Sequence, residues 1–149
     1  MKLSPDLREF VALLNSRKVR YLVVGGHAVA FHGFPRYTGD VDFFIAGSPD
    51  NAERITEVIR EFGFGSVGFQ TSDFLEPGVV LQLGRPPNRI DILTSIDGVA
   101  FDEAWASREE AALDGLPVPF IGKQCLIQNK RASGRPQDLA DIQRLDDAS

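Results

Sequence analysis

The chain opens with apolar residues at intervals of three and four positions: Leu7, Phe10, Val11 and Leu14. This spacing places them on one side of an amphipathic helix. Ser4 and Pro5 precede the stripe and supply an N-cap and a proline in the first helical turn. Ser48 and Pro49 repeat this pair of signals. A second amphipathic helix is therefore predicted after Ser48, ending at Gly63.

Shorter apolar runs between these helices predict strands. Tyr21 to Val24 is β-branched and aromatic and ends at two glycines, which indicates a buried strand that breaks into a tight turn, with a helix from about His27. Residues 40–45 alternate between polar and apolar, the period of a strand. Two further runs, 79–83 and 89–93, are separated by a connection of hairpin length. We expect them to be antiparallel neighbours.

The C-terminal third predicts one more hairpin and two helices. Asp114-Gly115 is a turn signal between two short apolar runs, and helices are expected near Lys123 to Ala132 and near Pro136 to Leu145. No internal repeat or linker interrupts the chain. The order of elements predicts a single α+β domain over residues 1–149, in which helices pack on a small mixed sheet. Its core would lie at about residues 20–95, with a helical part at about 100–147.

Composition narrows the class of protein. The 149 residues are 43% hydrophobic and 25% charged, as in ordinary globular domains. The 16 basic and 21 acidic residues give a net charge of -5, which opposes long-range attraction of nucleic acid. One cysteine, Cys125, excludes an internal disulfide and fits a reducing compartment. Asp6, Arg8 and Glu9 interrupt the N-terminal apolar run, and no run reaches membrane-spanning length, so we expect a cytoplasmic protein without a signal peptide or a membrane partner.

Asp40 and Asp42 are the first candidates for chemistry. Aspartates one residue apart on a strand project from the same face, with their Cα atoms ~6.5 Å apart, so one divalent cation can bridge them. Mg²⁺ prefers such hard oxygen ligands. Asp91 alternates with Ile90 and Ile92, so it leaves the apolar face of its own strand and becomes a third carboxylate if the two strands are neighbours. Taken alone, an Asp-x-Asp pair is also typical of two solvated acids at a strand edge.

The surrounding residues favour the metal site. The segment GGHAVAFHGFPRYTGDVDFFI contains a double glycine and then, after a short helix, two aspartates that flank one apolar residue. It resembles the signature of the DNA polymerase β nucleotidyltransferase superfamily. The resemblance implies that Asp40, Asp42 and Asp91 hold one or two Mg²⁺ ions, or Mn²⁺, and that Asp91 helps to activate the nucleophile. It also implies that Gly25 and Gly26 let backbone amides approach the triphosphate.

A narrower resemblance extends to the C-terminus. The ending KRASGRPQDLADIQRL is similar to that of minimal bacterial nucleotidyltransferases related to toxin–antitoxin systems and to aminoglycoside nucleotidyltransferases. In this family the basic segment contacts the nucleotide, and Lys130 is the matching candidate; a solvated helix end is the alternative. Arg36 and Thr38 are candidates for binding phosphate and orienting an aspartate, although loop solvation explains them equally well. Asp138 and Asp141 are expected to be structural acids of the last helix.

The expected activity is transfer of a nucleoside monophosphate from a nucleoside triphosphate, such as ATP, to a hydroxyl group, with release of pyrophosphate. A small molecule, a tRNA end and a protein side chain all remain open as acceptors. The short chain suggests that a homodimer or a partner protein completes the site. The alternative from another class is an inactive nucleotidyltransferase fold that serves as an antitoxin or regulatory subunit.

Two other kinds of protein fit the sequence less well. A phosphatase with an aspartate nucleophile needs a threonine or similar residue just downstream of the pair, where Phe43, Phe44 and Ile45 stand instead. A dinucleotide-binding module needs a third glycine at a fixed spacing after the pair, and the segment that follows Gly25 and Gly26 lacks it.

Overall fold

A computed structural model describes residues 3–33, 39–64, 68–85 and 89–147. The helices are α1 (Pro5–Ser16), α2 (Gly25–Phe31), α3 (Pro49–Ile59), α4 (Phe101–Ala106), α5 (Lys123–Ser133) and α6 (Pro136–Asp147). The strands are β1 (Tyr21–Val24), β2 (Val41–Ile45), β3 (Val80–Leu83), β4 (Ile90–Leu93), β5 (Glu109–Leu113) and β6 (Leu116–Phe120). A π-helical turn (Arg60–Phe64) extends α3, and a 3₁₀ turn (Thr71–Leu75) follows. Across these four ranges, each helix is too short or too polar to cross a membrane.

The six strands form one mixed sheet in the order β3-β4-β2-β1-β6-β5. β1 pairs antiparallel with β2 and parallel with β6, and β2 pairs parallel with β4. β3–β4 and β5–β6 are antiparallel pairs. The α+β prediction, the mixed sheet and both predicted hairpin pairings are confirmed. β4 also lies directly beside β2, as required if Asp91 is to be a third carboxylate beside Asp40 and Asp42.

Helices cover both faces of the sheet, and the alternation within β2 decides which aromatic rings they meet. Phe43 faces one side, where its ring centroid is 5.6 Å from that of Phe10 on α1. Phe44 faces the other side, 5.1 Å from Phe101 on α4. All four are buried or packed against the core, so the sheet is the middle layer of three.

The two serine caps are confirmed. The hydroxyl of Ser4 accepts a hydrogen bond from the Leu7 amide at 3.3 Å, and that of Ser48 accepts one from the Asn51 amide at 3.2 Å. Gly63 has φ 107° at the end of the turn that extends α3, so only a glycine fits there without strain.

Two features differ from the sequence-based expectation. α2 begins at Gly25 rather than near His27. α4 was not predicted, because it has six residues and no side-chain N-cap. The apolar periodicity of so short a helix is not distinctive.

Candidate active site

Two of the predicted carboxylates lie side by side on neighbouring strands. In the parallel pair β2–β4, Asp42 is directly opposite Asp91, so the two Cα atoms are ~4.8 Å apart and the side chains leave the same face. Asp40 precedes β2 by one residue and is on that face as well. The sequence produces this arrangement because the residues that alternate with these aspartates are buried: Val41, Phe43, Ile90 and Ile92.

The guanidinium of Arg89 joins two of the three acids. Its Nε donates to Asp91 Oδ1 at 2.8 Å and its Nη2 to Asp91 Oδ2 at 3.2 Å. The same Nη2 is 3.2 Å from Asp40 Oδ2. We call these contacts the Arg89 bridge. The sequence reasoning missed this residue, although its position two residues before Asp91 on the same strand face was a usable signal.

Asp42 has the most perturbed electrostatics of the three acids. Burial raises its pKa to about 7, and the neighbouring Asp91 and Asp40 add to the increase. Arg89 acts in the opposite direction with a smaller effect. The contacts of the Arg89 bridge go to the other two acids, so the negative charge of Asp42 is poorly compensated. A cation beside Asp42 would relieve this conflict.

Gly25 allows the chain to pass close to Asp42. Its φ is +68°, and a Cβ at this position would lie 2.2 Å from Asp42 Oδ2 and 3.1 Å from its Cγ. No residue with a side chain fits there without moving the carboxylate. The predicted tight turn after β1 is confirmed, with Gly26 as the next residue in α2. The nucleotide contact of both glycines remains a prediction.

Asp42 lies in a cleft of about 490 Å³ between the sheet and the α5–α6 corner. We call it the Asp42 cleft. The cleft is lined by residues at the sheet, at the start of α2, after β4 and at the α5–α6 corner: Gly25, Val80, Leu93, Asp97, Asn129, Lys130, Arg135 and Asp138. The Asn129 amide donates to the Asp97 carbonyl at 2.9 Å, which ties α5 to the segment after β4. The structure thus brings Asp42, Gly25 and Lys130 together in one cleft.

Lys130 is buried and already bound by two carboxylates. Its Nζ is 2.9 Å from Asp141 Oδ2 and 3.4 Å from Asp138 Oδ1, and its side chain is 7% exposed. Arg135 Nε is 2.8 Å from Asp138 Oδ2. Asp138 and Asp141 hold α5 and α6 together through these contacts, in agreement with the structural role expected of them. The solvated helix end proposed as the alternative for Lys130 is wrong, whereas its nucleotide contact stays a prediction.

The charges in this corner fix the protonation state of Asp138. Burial acts to raise its pKa, but hydrogen bonds from Arg135 and Ser133 and the charge of Lys130 outweigh burial and lower the pKa to about 2. Asp138 is therefore an anion at neutral pH.

The carboxylate oxygens of the three aspartates suit a divalent cation, although the three side chains do not converge on one point in this structure. Across the four described ranges, no three His, Cys, Asp or Glu residues are arranged to hold a metal ion. Carboxylate oxygens are the donors that Mg²⁺ prefers, and the Arg89 bridge contacts both oxygens of Asp91 and one oxygen of Asp40. Arg36 and Thr38 lie outside the described residues.

Other candidates for chemistry are structural. His32 Nε2 is 2.8 Å from the Ile121 carbonyl and its Nδ1 is 3.4 Å from Glu109, so it fastens α2 to the β5–β6 hairpin. Cys125 is buried, with its sulfur 3.3 Å from the Ser107 hydroxyl.

Several solved structures share this fold, and three of them illustrate the similarity. The lincosamide antibiotic adenylyltransferase LnuA, determined with lincomycin bound, is 18% identical over 99% of both chains, with a TM-score of 0.61. A Thermotoga maritima protein assigned to the nucleotidyltransferases is 17% identical over 96% of this chain and 91% of its own, with a TM-score of 0.62. The antibiotic-resistance factor ANT(2'')-Ia is 16% identical over 94% of this chain and 80% of its own, with a TM-score of 0.57. At these identities the similarity establishes the fold alone.

The sequence gives the more specific assignment. No curated protein matches it. Residues 3–148 match a family described as "Nucleotidyl transferase of unknown function (DUF2204)". This match spans nearly the whole chain and agrees with the resemblance carried by the glycine pair and the aspartates, so the protein belongs to this nucleotidyl transferase family.

Proposed function

We propose that the protein transfers a nucleoside monophosphate from a nucleoside triphosphate to a hydroxyl group of an acceptor, and that Asp40, Asp42 and Asp91 hold Mg²⁺ for this reaction. One observation carries the proposal: Asp42 and Asp91 are in register on adjacent strands. Asp42 also lines a cleft large enough for a nucleotide.

The three aspartates have separate tasks in this proposal. Asp42 would be one ligand, because a cation beside it would relieve the electrostatic conflict that raises its pKa. Asp40 and Asp91 would be ligands if they exchanged their Arg89 contacts for the ion. When bound, Mg²⁺ or Mn²⁺ would neutralise and orient the triphosphate. Asp91 would either hold a second ion or accept the proton of the attacking hydroxyl.

The transfer is a displacement at the α-phosphorus. The acceptor hydroxyl oxygen forms a bond to that phosphorus, and the bond from it to the oxygen bridging the α- and β-phosphates breaks. The bonding electron pair leaves with pyrophosphate, and the hydroxyl proton passes to a carboxylate. Most of the acceleration comes from positioning and from electrostatic stabilisation of phosphate charge.

The Asp42 cleft supports a location for the nucleotide. Gly25 has no side chain beside Asp42, so the backbone at Gly25 and Gly26 is open to the phosphates. Lys130 lines the same cleft and contacts phosphate in our proposal, as does Arg36, while Thr38 orients Asp40. We propose ATP as the nucleotide, because LnuA is an adenylyltransferase.

A small hydroxyl-bearing molecule is our preferred acceptor. LnuA was determined with lincomycin bound, and ANT(2'')-Ia is an antibiotic-resistance factor. The net charge of -5 disfavours a large nucleic acid. A tRNA end and a protein side chain are the other acceptors that the test must include. The free thiol of Cys125 is consistent with action in a reducing cytoplasm.

Labelled nucleotide tests this function. The protein is incubated with each α-³²P-labelled triphosphate, Mg²⁺ and a cell extract separated into small-molecule, RNA and protein fractions. We expect label from ATP in the small-molecule fraction and release of unlabelled pyrophosphate. Asp42→Asn should abolish the label, whereas Asp102→Asn, which removes an exposed acid at the start of α4, should leave it unchanged.

The same experiment separates the enzyme from an inactive binding protein. If no fraction acquires label while wild-type protein still binds ATP, the result supports the alternative hypothesis of an inactive protein that acts as an antitoxin or regulatory subunit. Mg²⁺-dependent ATP binding that is identical in wild type and Asp42→Ala would remove the metal site from the proposal.

A further inference from the structure

The Arg89 bridge uses the same oxygen atoms that the proposed metal site requires. Both oxygens of Asp91 accept hydrogen bonds from this guanidinium, at 2.8 and 3.2 Å. One oxygen of Asp40 is 3.2 Å from it. Charge-assisted pairs of this bidentate type are among the stronger polar contacts in proteins. Because both cations need lone pairs of these oxygens, a divalent ion and this guanidinium compete for the Asp91 carboxylate.

We propose that Arg89 is a resident cation that holds Asp40 and Asp91 in the metal-free protein, and that a divalent ion must displace it to bind. The inference rests on the metal site proposed above and adds a positioning residue to it. Arg89 keeps the two acids at the same end of β2 and β4 and lowers their mutual repulsion. It also competes with the metal for their oxygens.

The exposures of the three side chains indicate that Arg89 has room to move away from the aspartates. The Arg89 side chain is 27% exposed and that of Asp40 is 34% exposed, whereas Asp91 is 10% exposed. The guanidinium therefore lies on the solvent side of Asp91 and is able to move outwards without disturbing the core. Its carbon chain begins just before β4, so its backbone stays fixed by the pairing of Ile90 with Val41.

In the proposed reaction, the phosphates of the nucleotide offer new oxygen partners to the released guanidinium. Its planar fork matches a phosphate as well as it matches a carboxylate. The triphosphate must approach the same three aspartates with its cation. Arg89 then exchanges carboxylate oxygens for phosphate oxygens, so metal and triphosphate should bind cooperatively. Removing Arg89 should strengthen metal binding in the absence of nucleotide and weaken this cooperativity.

Binding of Mn²⁺ to the intact protein tests the proposal without measuring activity. Free Mn²⁺ is followed by electron paramagnetic resonance for wild type, Arg89→Gln, Arg89→Lys and Arg85→Gln. Arg85 is an exposed arginine four residues earlier, so Arg85→Gln removes the same charge outside the bridge. Each variant is first checked for cooperative thermal unfolding in EDTA.

We expect Arg89→Gln to bind Mn²⁺ about tenfold more tightly than wild type, Arg89→Lys to be intermediate, and Arg85→Gln to match wild type. A lysine keeps the charge but cannot bridge two carboxylates with a fork. Adding a non-hydrolysable ATP analogue should tighten Mn²⁺ binding more in wild type than in Arg89→Gln. An arginine with a merely structural role would give weaker Mn²⁺ binding when removed.

Two failures are distinguishable. Equal or weaker Mn²⁺ binding by Arg89→Gln, with clear binding by wild type, overturns the displacement and leaves the metal site intact. No Mn²⁺ binding by any variant overturns the metal site and the displacement together. If Arg89→Gln does not fold, Arg89→Lys decides the question, since it must bind Mn²⁺ more tightly than wild type for the proposal to stand.

Discussion

The three aspartates are not equivalent, although the sequence presents them alike. Asp40 and Asp91 share a guanidinium. Asp42 is half-buried, faces Asp91 directly across the strand pair, and has a pKa raised to about 7. Burial and the neighbouring Asp91 therefore oppose its ionisation in the metal-free protein. Between pH 5 and 8, the stability of the metal-free protein should therefore depend on pH through this side chain.

The pH dependence has a definite sign. The unfolded carboxyl titrates near pH 4, whereas the pKa of Asp42 in the folded protein is raised to about 7 by burial and by Asp91. Protonated Asp42 favours folding, so this contribution is complete below pH 4 and is lost as the pH rises through 7. In EDTA, the free energy of unfolding of wild type should fall relative to Asp42→Asn by on the order of 2–4 kcal/mol between pH 5 and 8.

Chemical denaturation at each pH measures this difference. Asp102→Asn, which removes an exposed acid, should instead run parallel to wild type. Parallel profiles for wild type and Asp42→Asn would show that burial does not raise the Asp42 pKa in solution.

Gly25→Ala tests the close approach of the backbone to Asp42. The new Cβ would meet Asp42 Oδ2 at 2.2 Å, at a φ of +68°. Gly78 has a similar φ of +77° with nothing within 4 Å of a Cβ, so Gly78→Ala reproduces the backbone strain without the clash. Both should lose about 1 kcal/mol of stability from strain. Only Gly25→Ala should also lose nucleotide transfer, because it moves the carboxylate; equal transfer activity in the two variants would contradict this.

At the scale of elements, local signals predicted most of the fold. Ser4 and Ser48 fixed two helix starts, because a capping serine followed by proline is a strong local signal. Alternation in β2 and β4 placed the three aspartates on one face. The pairing of β2 with β4 was not predictable, since it joins residues about 50 positions apart and depends on the whole sheet. Arg89 was missed because a charge at a strand start is usually solvated.

The α5–α6 corner depends on a buried ion pair that only the structure reveals. Lys130→Met leaves Asp138 and Asp141 buried without their shared ammonium. Removing one partner of a buried pair costs about 3–5 kcal/mol, so the midpoint of urea unfolding should fall strongly. Arg131→Met, at the exposed neighbouring position, is the matched control and should stay within about 0.5 kcal/mol of wild type. A small effect of Lys130→Met would show that the ion pair is weak and leave Lys130 available for phosphate.

At the scale of the whole molecule, charge constrains how a triphosphate binds. The chain carries a net charge of -5. Among the described residues, Lys130 and Arg135 of the cleft lining lie against aspartate side chains, and so does Arg89 beside Asp91, the strand neighbour of Asp42. A polyanion that enters this cleft therefore meets cations that are already neutralised. A divalent ion bound with the nucleotide supplies the missing positive charge.

This charge balance predicts that the nucleotide stabilises the fold strongly only when a divalent metal binds with it. A non-hydrolysable ATP analogue with Mg²⁺, at a hundredfold excess over its dissociation constant, should add about 2.7 kcal/mol. For a domain of this size, that raises the Tm by about 5–10 °C. The analogue in EDTA should give a small shift, because the aspartates of the Asp42 cleft repel it. Asp42→Asn should lose most of the Mg²⁺-dependent shift and Asp102→Asn should keep it. An equal shift with and without Mg²⁺ would mean that the protein's own cations bind the triphosphate, and the metal would then have no part in holding the nucleotide.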